Sequence, residues 1–194
     1  MLMKEKMDLF WKLVEPEHQA ARAFCRKLMG NRDDGDDLYQ DALVRALTGF
    51  SQLNETRSFR AWLYRIMINT FKNRAHRRGI FRRTSLTIQI AETVGGKNPD
   101  PVYAARRRLE RAFQVLSAED RALVTLFELE GWSISELAGI FGKKGANIKV
   151  RLSRARKKMH KVLVNSLSLD KKSKFVQPLS RKDEICVAAK PGKN

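Results

Sequence analysis

Between residues 3 and 76 the apolar positions recur every three or four residues instead of alternating, the period of helices packed on one face. Met3, Met7, Phe10, Trp11 and Val14 form a first stripe. Pro16, which lacks an N–H and fixes φ, kinks that helix or separates it from a second carrying Ala20, Ala21, Phe24 and Leu28. Gly30 and Asn31 supply a stop. Leu38, Ala42, Leu43 and Leu47 predict a third helix from Asp33 to Phe50. The loop GFSQLNETRS follows, and then Phe59, Leu63, Ile66 and Met67 predict a fourth helix from about Ser58 to His76. Cys25 lies on the apolar face of the second helix, the setting of a buried free thiol.

The pattern changes after RRGIFRR at residues 77–83. SLTIQI alternates polar and apolar residues, as a small strand or an extended segment does, and AETVGGKNPDP is rich in turn formers. Residues 84–101 therefore read as a linker. A second helical module starts at Val102; Ser117, with Asp120 three positions on, offers a cap before Leu123, Leu126 and Phe127. Ser133 and Glu136 have capping-box spacing ahead of Leu137, Ala138 and Phe141. Gly142 to Gly145 break that helix, and Ile148, Leu152, Ala155 and Met159 restore the period on another. Two short helices joined this way have helix-turn-helix spacing, in which the second can enter a major groove. Residues 166–194 hold seven Lys/Arg, three acids and two prolines and predict a disordered basic tail. The expected fold is all-α: two small helical domains, 1–83 and 102–165, joined by a flexible linker.

Charge narrows the partner. A formal net charge of +18 and a pI near 10.4 favour a polyanion. No apolar run approaches a membrane span, and MLMKEKMDLF lacks the continuous apolar core of a signal peptide, so the expectation is a cytoplasmic chain without membrane insertion. The two cysteines and three histidines show no metal-ligand spacing, and no cofactor motif occurs. From Lys143 to Lys161 there are nine Lys/Arg and no acid, a distribution that a phosphate backbone accounts for better than a helical hairpin with a solvated face. Residues 33–41 hold five aspartates and no base. Three readings stand side by side: carboxylates favoured by a helix dipole, a divalent-metal site lacking any distant ligand, and an acidic docking face. On the fourth helix, Arg65, Asn69 and Asn73 recur every four residues, so one polar face presents groups able to meet base edges. Trp62 suits a stacking platform or the core equally well.

These segments resemble the bacterial RNA polymerase sigma factors of the extracytoplasmic-function group. DDLYQDALVRAL is similar to that family's polymerase-binding helix, FRAWLYRIMINTFKNRAHRR to its minus 10 recognition helix, and LFELEGWSISELAGIFGKKGANIKVRLSRARKKM to its minus 35 reader. The three occur in the family's order, across a linker, between about Leu9 and Val164. The resemblance implies transcription initiation, not catalysis, with core RNA polymerase, promoter DNA and an anti-sigma factor as partners and no cofactor or metal. It implies that Asp36, Asp37, Gln40 and Asp41 contact the clamp helices of the largest polymerase subunit. It implies that the loop from Gly49 to Arg57 cradles a flipped minus 10 base while Trp62, Arg65, Asn69 and Asn73 meet that element. Lys149, Val150, Ser153 and Arg154 would face minus 35 bases, and Lys144, Asn147, Arg151 and Arg156 phosphates. Two departures stand out. Lys143, Lys144, Ala146 and Asn147 occupy the turn where the family has an apolar residue, Pro and a Gly-Thr pair; Val150 replaces the common Ser and offers a methyl to thymine. The alternative is a helix-turn-helix regulator acting alone; a nuclease and a non-specific RNA binder rank below it.

Overall fold

The computed structural model describes residues 3–53, 55–78 and 101–175, and every described element is helical. Helix α1 (Met3–Val14) runs into a 3-10 turn at Glu15–Glu17, where Pro16 takes an early helical position that needs no donor. Helix α2 (His18–Met29) ends at Gly30, whose φ of 80° is left-handed and whose N–H returns to the Arg26 carbonyl at 2.8 Å. Asn31 then caps α3 (Arg32–Gly49) by accepting the Asp34 N–H at 2.8 Å. Two 3-10 turns, Phe50–Gln52 and Thr56–Ser58, carry the chain to α4 (Phe59–Arg78).

These four helices bury Phe10, Phe24, Leu28, Leu38, Tyr39, Leu63, Tyr64, Met67 and Phe71. Cys25 is buried among them, its thiol donating to Met67 Sδ at 3.4 Å, and burial pushes its pKa up. The expected stripe on α3 is buried at Leu38 and Ala42 and also takes in Gly35. Gly35, Leu38, Tyr39, Ala42 and Ala46 face inward, whereas Leu47 is 36% exposed. At Gly35 a Cβ would lie 2.4 Å from Arg26 Cα, so α2 and α3 touch backbone to backbone at that point. On α1 only Phe10 and Val14 are buried, and Met7 and Trp11 lie at the surface.

In the second half, α5 (Pro101–Gln114) leads to α6 (Ala118–Val124), capped by Ser117 and continued by a π-helical turn at Thr125–Leu129. Then come α7 (Ile134–Phe141) and α8 (Gly145–Phe175). The predicted end near Val164 needs correcting. Helix α8 runs on to Phe175, and Ser166 is buried. The helix therefore runs past residue 166, where the basic tail was expected to begin. Linker residues 84–100, with their candidate strand SLTIQI, and tail residues 176–194 lie outside the described residues. The two modules meet directly: α4 packs on α6 and α7, α2 packs on the π-helical turn, and one apolar cluster runs through both.

Candidate nucleic-acid interface

The carboxylates of the acidic segment on α3 differ in how they are engaged. Asp36 accepts two hydrogen bonds from Arg26, at 2.6 and 2.8 Å, and two from Arg22, at 2.8 and 2.7 Å. The Arg26 bond first, and then that of Arg22, hold this carboxyl well below the usual carboxylate range. Asp41 is bound by the Arg74 guanidinium, which also donates to the Asp37 carbonyl at 3.1 Å. Asp37 and Gln40 are exposed, and Val44, 65% exposed, continues their face one turn on. Two of the four expected docking residues therefore also brace α3, Asp41 while remaining half-exposed. No cluster with metal-binding composition occurs among the described residues.

The polar stripe of α4 meets the other module. Arg65 donates from Nε to the Ile140 carbonyl at 2.8 Å and from Nη2 to the Gly139 carbonyl. Those carbonyls close α7, where helical partners run out and negative partial charge collects. Asn69 lies beside Arg65 in the wall of a cavity of about 270 Å³, which Lys72, Glu119 and Phe141 also line. Asn73 is exposed, one turn farther along. Trp62 is half-buried, its ring 5.8 Å from Phe59 and 6.4 Å from Phe50, so much of it belongs to the aromatic core.

Sequence reading missed the residues that hold this face down. Trp132 is buried with its ring 4.6 Å from that of Tyr64, and the Arg60 guanidinium lies 4.0 Å over it. Lys27 pairs with Glu130 at 2.7 Å, and Arg121 reaches the Lys27 carbonyl at 3.4 Å. Burial lowers the Arg121 pKa to about 10. Tyr64 Oη, Trp132 Nε1 and Arg121 Nε are buried without a hydrogen-bond partner. An intervening GW pair before a capping box was the only sequence signal for Trp132, and nothing local ties it to a residue 68 positions earlier.

The helix-turn-helix forms as its capping chemistry dictates. The Ser133 N–H donates to Glu136 Oε2 at 2.8 Å and the Glu136 N–H donates to Ser133 Oγ at 3.3 Å. The Ser133 hydroxyl and backbone together lower the Glu136 pKa. Gly142 at φ 61° ends α7 and lets the chain turn into α8. Lys144, Asn147, Lys149, Val150, Ser153 and Arg154 are exposed. Arg151 and Arg156 are engaged within the module. Arg151 binds Asp120 at 2.6 Å and Glu119 at 3.2 Å; burial opposes its charge, yet these carboxylates raise its pKa overall. Arg156 donates to Glu128 at 2.7 Å and stacks 5.3 Å from the Phe127 ring.

An all-helical chain with a helix-turn-helix in one module and an Arg/Asn stripe in the other defines a two-part DNA-binding protein. Comparison with known proteins agrees: residues 13–80 match the family Sigma-70 region 2, and residues 106–159 match Sigma-70, region 4. The chain is 31% identical over 161 residues to the ECF RNA polymerase sigma factor SigE of Mycolicibacterium smegmatis, covering 80% of this chain but 62% of that protein. It is 30% identical over 144 residues to EcfG of Rhodopseudomonas palustris, covering 73% of this chain and 78% of that one. Among solved structures, the sigma factor RpoE of Bartonella quintana, in complex with the anti-sigma factor NepR, superposes with a TM-score of 0.54 at 26% identity, over 84% of this chain and 98% of that one. CnrH, in complex with the cytosolic domain of CnrY, shares the fold with a TM-score of 0.58 over 82% and 90%. The chain belongs to the extracytoplasmic-function group of the sigma-70 family of RNA polymerase sigma factors. No helix among the described residues is long and apolar enough to cross a membrane.

Proposed function

We propose that this protein is a promoter-specificity subunit: it binds core RNA polymerase, reads minus 35 and minus 10 elements and captures unpaired bases as the promoter opens. The carrying observation is that both family regions lie on one chain, each with a face suited to DNA: the Arg65–Asn69–Asn73 stripe on α4 and the exposed cationic side of α8. Asp37 and Gln40 are the residues of α3 free to meet polymerase, while Asp36 and Asp41 hold that helix against α2 and α4. Asn69 and Asn73 join Arg65 as readers of minus 10 DNA, beside the Trp62 ring. Lys149, Val150, Ser153 and Arg154 face minus 35 bases, with Lys144 and Asn147 on phosphate. The protein acts in the cytoplasm, has no catalysis of its own and uses no cofactor; an anti-sigma factor restrains it, as NepR accompanies the Bartonella protein.

The packed form does not span a promoter. Elements named minus 35 and minus 10 lie roughly 25 base pairs apart, about 85 Å at 3.4 Å per step, whereas a compact body of about 150 residues has a radius of gyration near 15 Å. The modules therefore separate in the working complex, releasing Arg65 from the α7 carbonyls. Each reader then raises the effective concentration of the other. Transcription in vitro with core polymerase on a genomic library tests this function: discrete start sites that depend on the added chain are expected. Tight specific binding to duplex DNA without polymerase, and no such start sites, would favour a regulator acting alone.

A further inference from the structure

Helix α8 does not stop where the resemblance to region 4 stops, at residue 159; it continues to Phe175. No acid occurs from Leu137 to Leu169. With Arg151 and Arg156 engaged by Asp120, Glu119 and Glu128, the positive charge left over on this helix lies elsewhere. Arg154, Lys157, Lys158 and Lys161 are all exposed and make no ion pair among the described residues. Their spacing of three, four and seven residues places them on one face. Ile148, Leu152, Ala155 and Ser166 are buried and mark the other face. Helix α5 packs against α8, and Ser166, in the continuation, is buried.

Geometry assigns the two ends of this ridge different tasks. A helix-turn-helix reads bases with the N-terminal part of its second helix, because a straight rod leaves a curving groove about 12 Å wide after a few turns. Lys161 lies seven residues, roughly 10 Å, beyond Arg154. At that distance the helix has climbed from the base edges to the phosphate rim. We infer that Lys157, Lys158 and Lys161 form a phosphate clamp on the duplex flanking the minus 35 element, a contact surface that includes a residue outside the family-matched segment. The clamp rests on the promoter-binding reading above. It supplies affinity without sequence information, and it takes the place of the phosphate contacts expected of Arg151 and Arg156.

The test uses full-length protein in holoenzyme with core polymerase, on a promoter fragment selected by the parent. A triple variant, Lys157→Gln, Lys158→Gln and Lys161→Gln, keeps good helix formers while removing three charges. The slope of log Kobs against log salt should fall by about 2.7, at about 0.9 per phosphate contact, with minus 35 base preference unchanged. Replacing the same three lysines with Arg should retain the parental slope. Removing three exposed cations elsewhere (Lys4→Gln, Lys12→Gln and Arg32→Gln) should leave the slope within half a unit of the parent. An unchanged slope in the first variant, or an equal fall in the control, would overturn the clamp. A parent holoenzyme that binds no promoter fragment would sink the promoter reading itself, and the clamp with it.

Discussion

The two surfaces proposed to face DNA differ in what engages them. On α4, Arg65 is hydrogen-bonded to the carbonyls of Gly139 and Ile140, and Asn69, itself exposed, lines a cavity together with Glu119 and Phe141 of the other module. On α8, Lys149, Val150, Ser153 and Arg154 are exposed, and α8 packs on α5, α6 and α7 of its own module. The same packing that ties up Arg65 leaves Lys149, Val150, Ser153 and Arg154 exposed. On the proposed reading, Arg65 meets separated strands only after leaving the α7 carbonyls, so promoter melting would accompany the modules coming apart. The contact surface suits that role. It leaves Tyr64 Oη, Trp132 Nε1 and Arg121 Nε buried and unpaired, and each such group costs about 1–3 kcal/mol of desolvation. Its surface ion pairs, Lys27 with Glu130, Arg60 with Glu136 and Lys72 with Glu119, contribute at most about 0.2–1 kcal/mol each.

The largest effect that would break this contrast comes from the scaffold of the module that carries Arg65. Gly35→Ala places a methyl within 2.4 Å of Arg26 Cα and should destabilise the first module by about 1–3 kcal/mol, measured by chemical denaturation. Retained stability would mean that α2 and α3 can part without cost. Next in size, Arg65→Ala should cost about 1–3 kcal/mol in open-complex formation if a base-edge contact is lost, read by permanganate reactivity of the melted strands. It should also loosen the packed form, because the same guanidinium serves both states. Arg154→Ala should cost a similar amount at one minus 35 position only, whereas Arg156→Ala should change the salt slope by well under one unit, since Glu128 already engages that side chain. Binding selections on randomised minus 35 DNA at several salt concentrations separate the two.

A smaller effect is set by pH. Because Arg26 and Arg22 hold Asp36 below its ordinary range, the ion pair is fully present above the unfolded carboxylate pKa, near 4, and its contribution is lost as pH falls below that value toward the depressed native pKa. Asp36→Asn should flatten the acid limb of the stability curve, as followed by thermal melts between pH 3 and pH 7. A parallel curve for parent and variant would remove Asp36 from its bracing role.

What could be read from the sequence follows the range of the interactions involved. Caps and breaks are local chemistry, so Asn31, Ser117, Ser133 with Glu136, and Gly142 mark their helix ends as the residues predict. Apolar periodicity located the helices and most of the buried face of α3, Leu38, Ala42 and Leu43, but missed Gly35, since an inward glycine carries no hydrophobic signal. A charge run shows how many cations a segment has, not which are already engaged. Arg151 and Arg156 looked like phosphate ligands until the acids of α6 and the turn after it folded against them. Likewise Asp36 and Asp41, part of a bare acidic run in one dimension, meet Arg22, Arg26 and Arg74 in three. Contact between the modules was invisible for the same reason: Trp132 on Tyr64 and Arg65 on Gly139 join residues about seventy positions apart.

The most direct measurement is the distance between the modules during initiation. Dyes on Lys12→Cys and Val115→Cys, both exposed positions, can report it by energy transfer in a Cys186→Ser background, since Cys25 is buried. High transfer is expected for the free chain, falling to near zero when core polymerase and promoter DNA are added and the strands around minus 10 become permanganate-reactive. Open complexes that form while transfer stays at its free-chain value would contradict the account, because Arg65 would then be working without release from the α7 carbonyls.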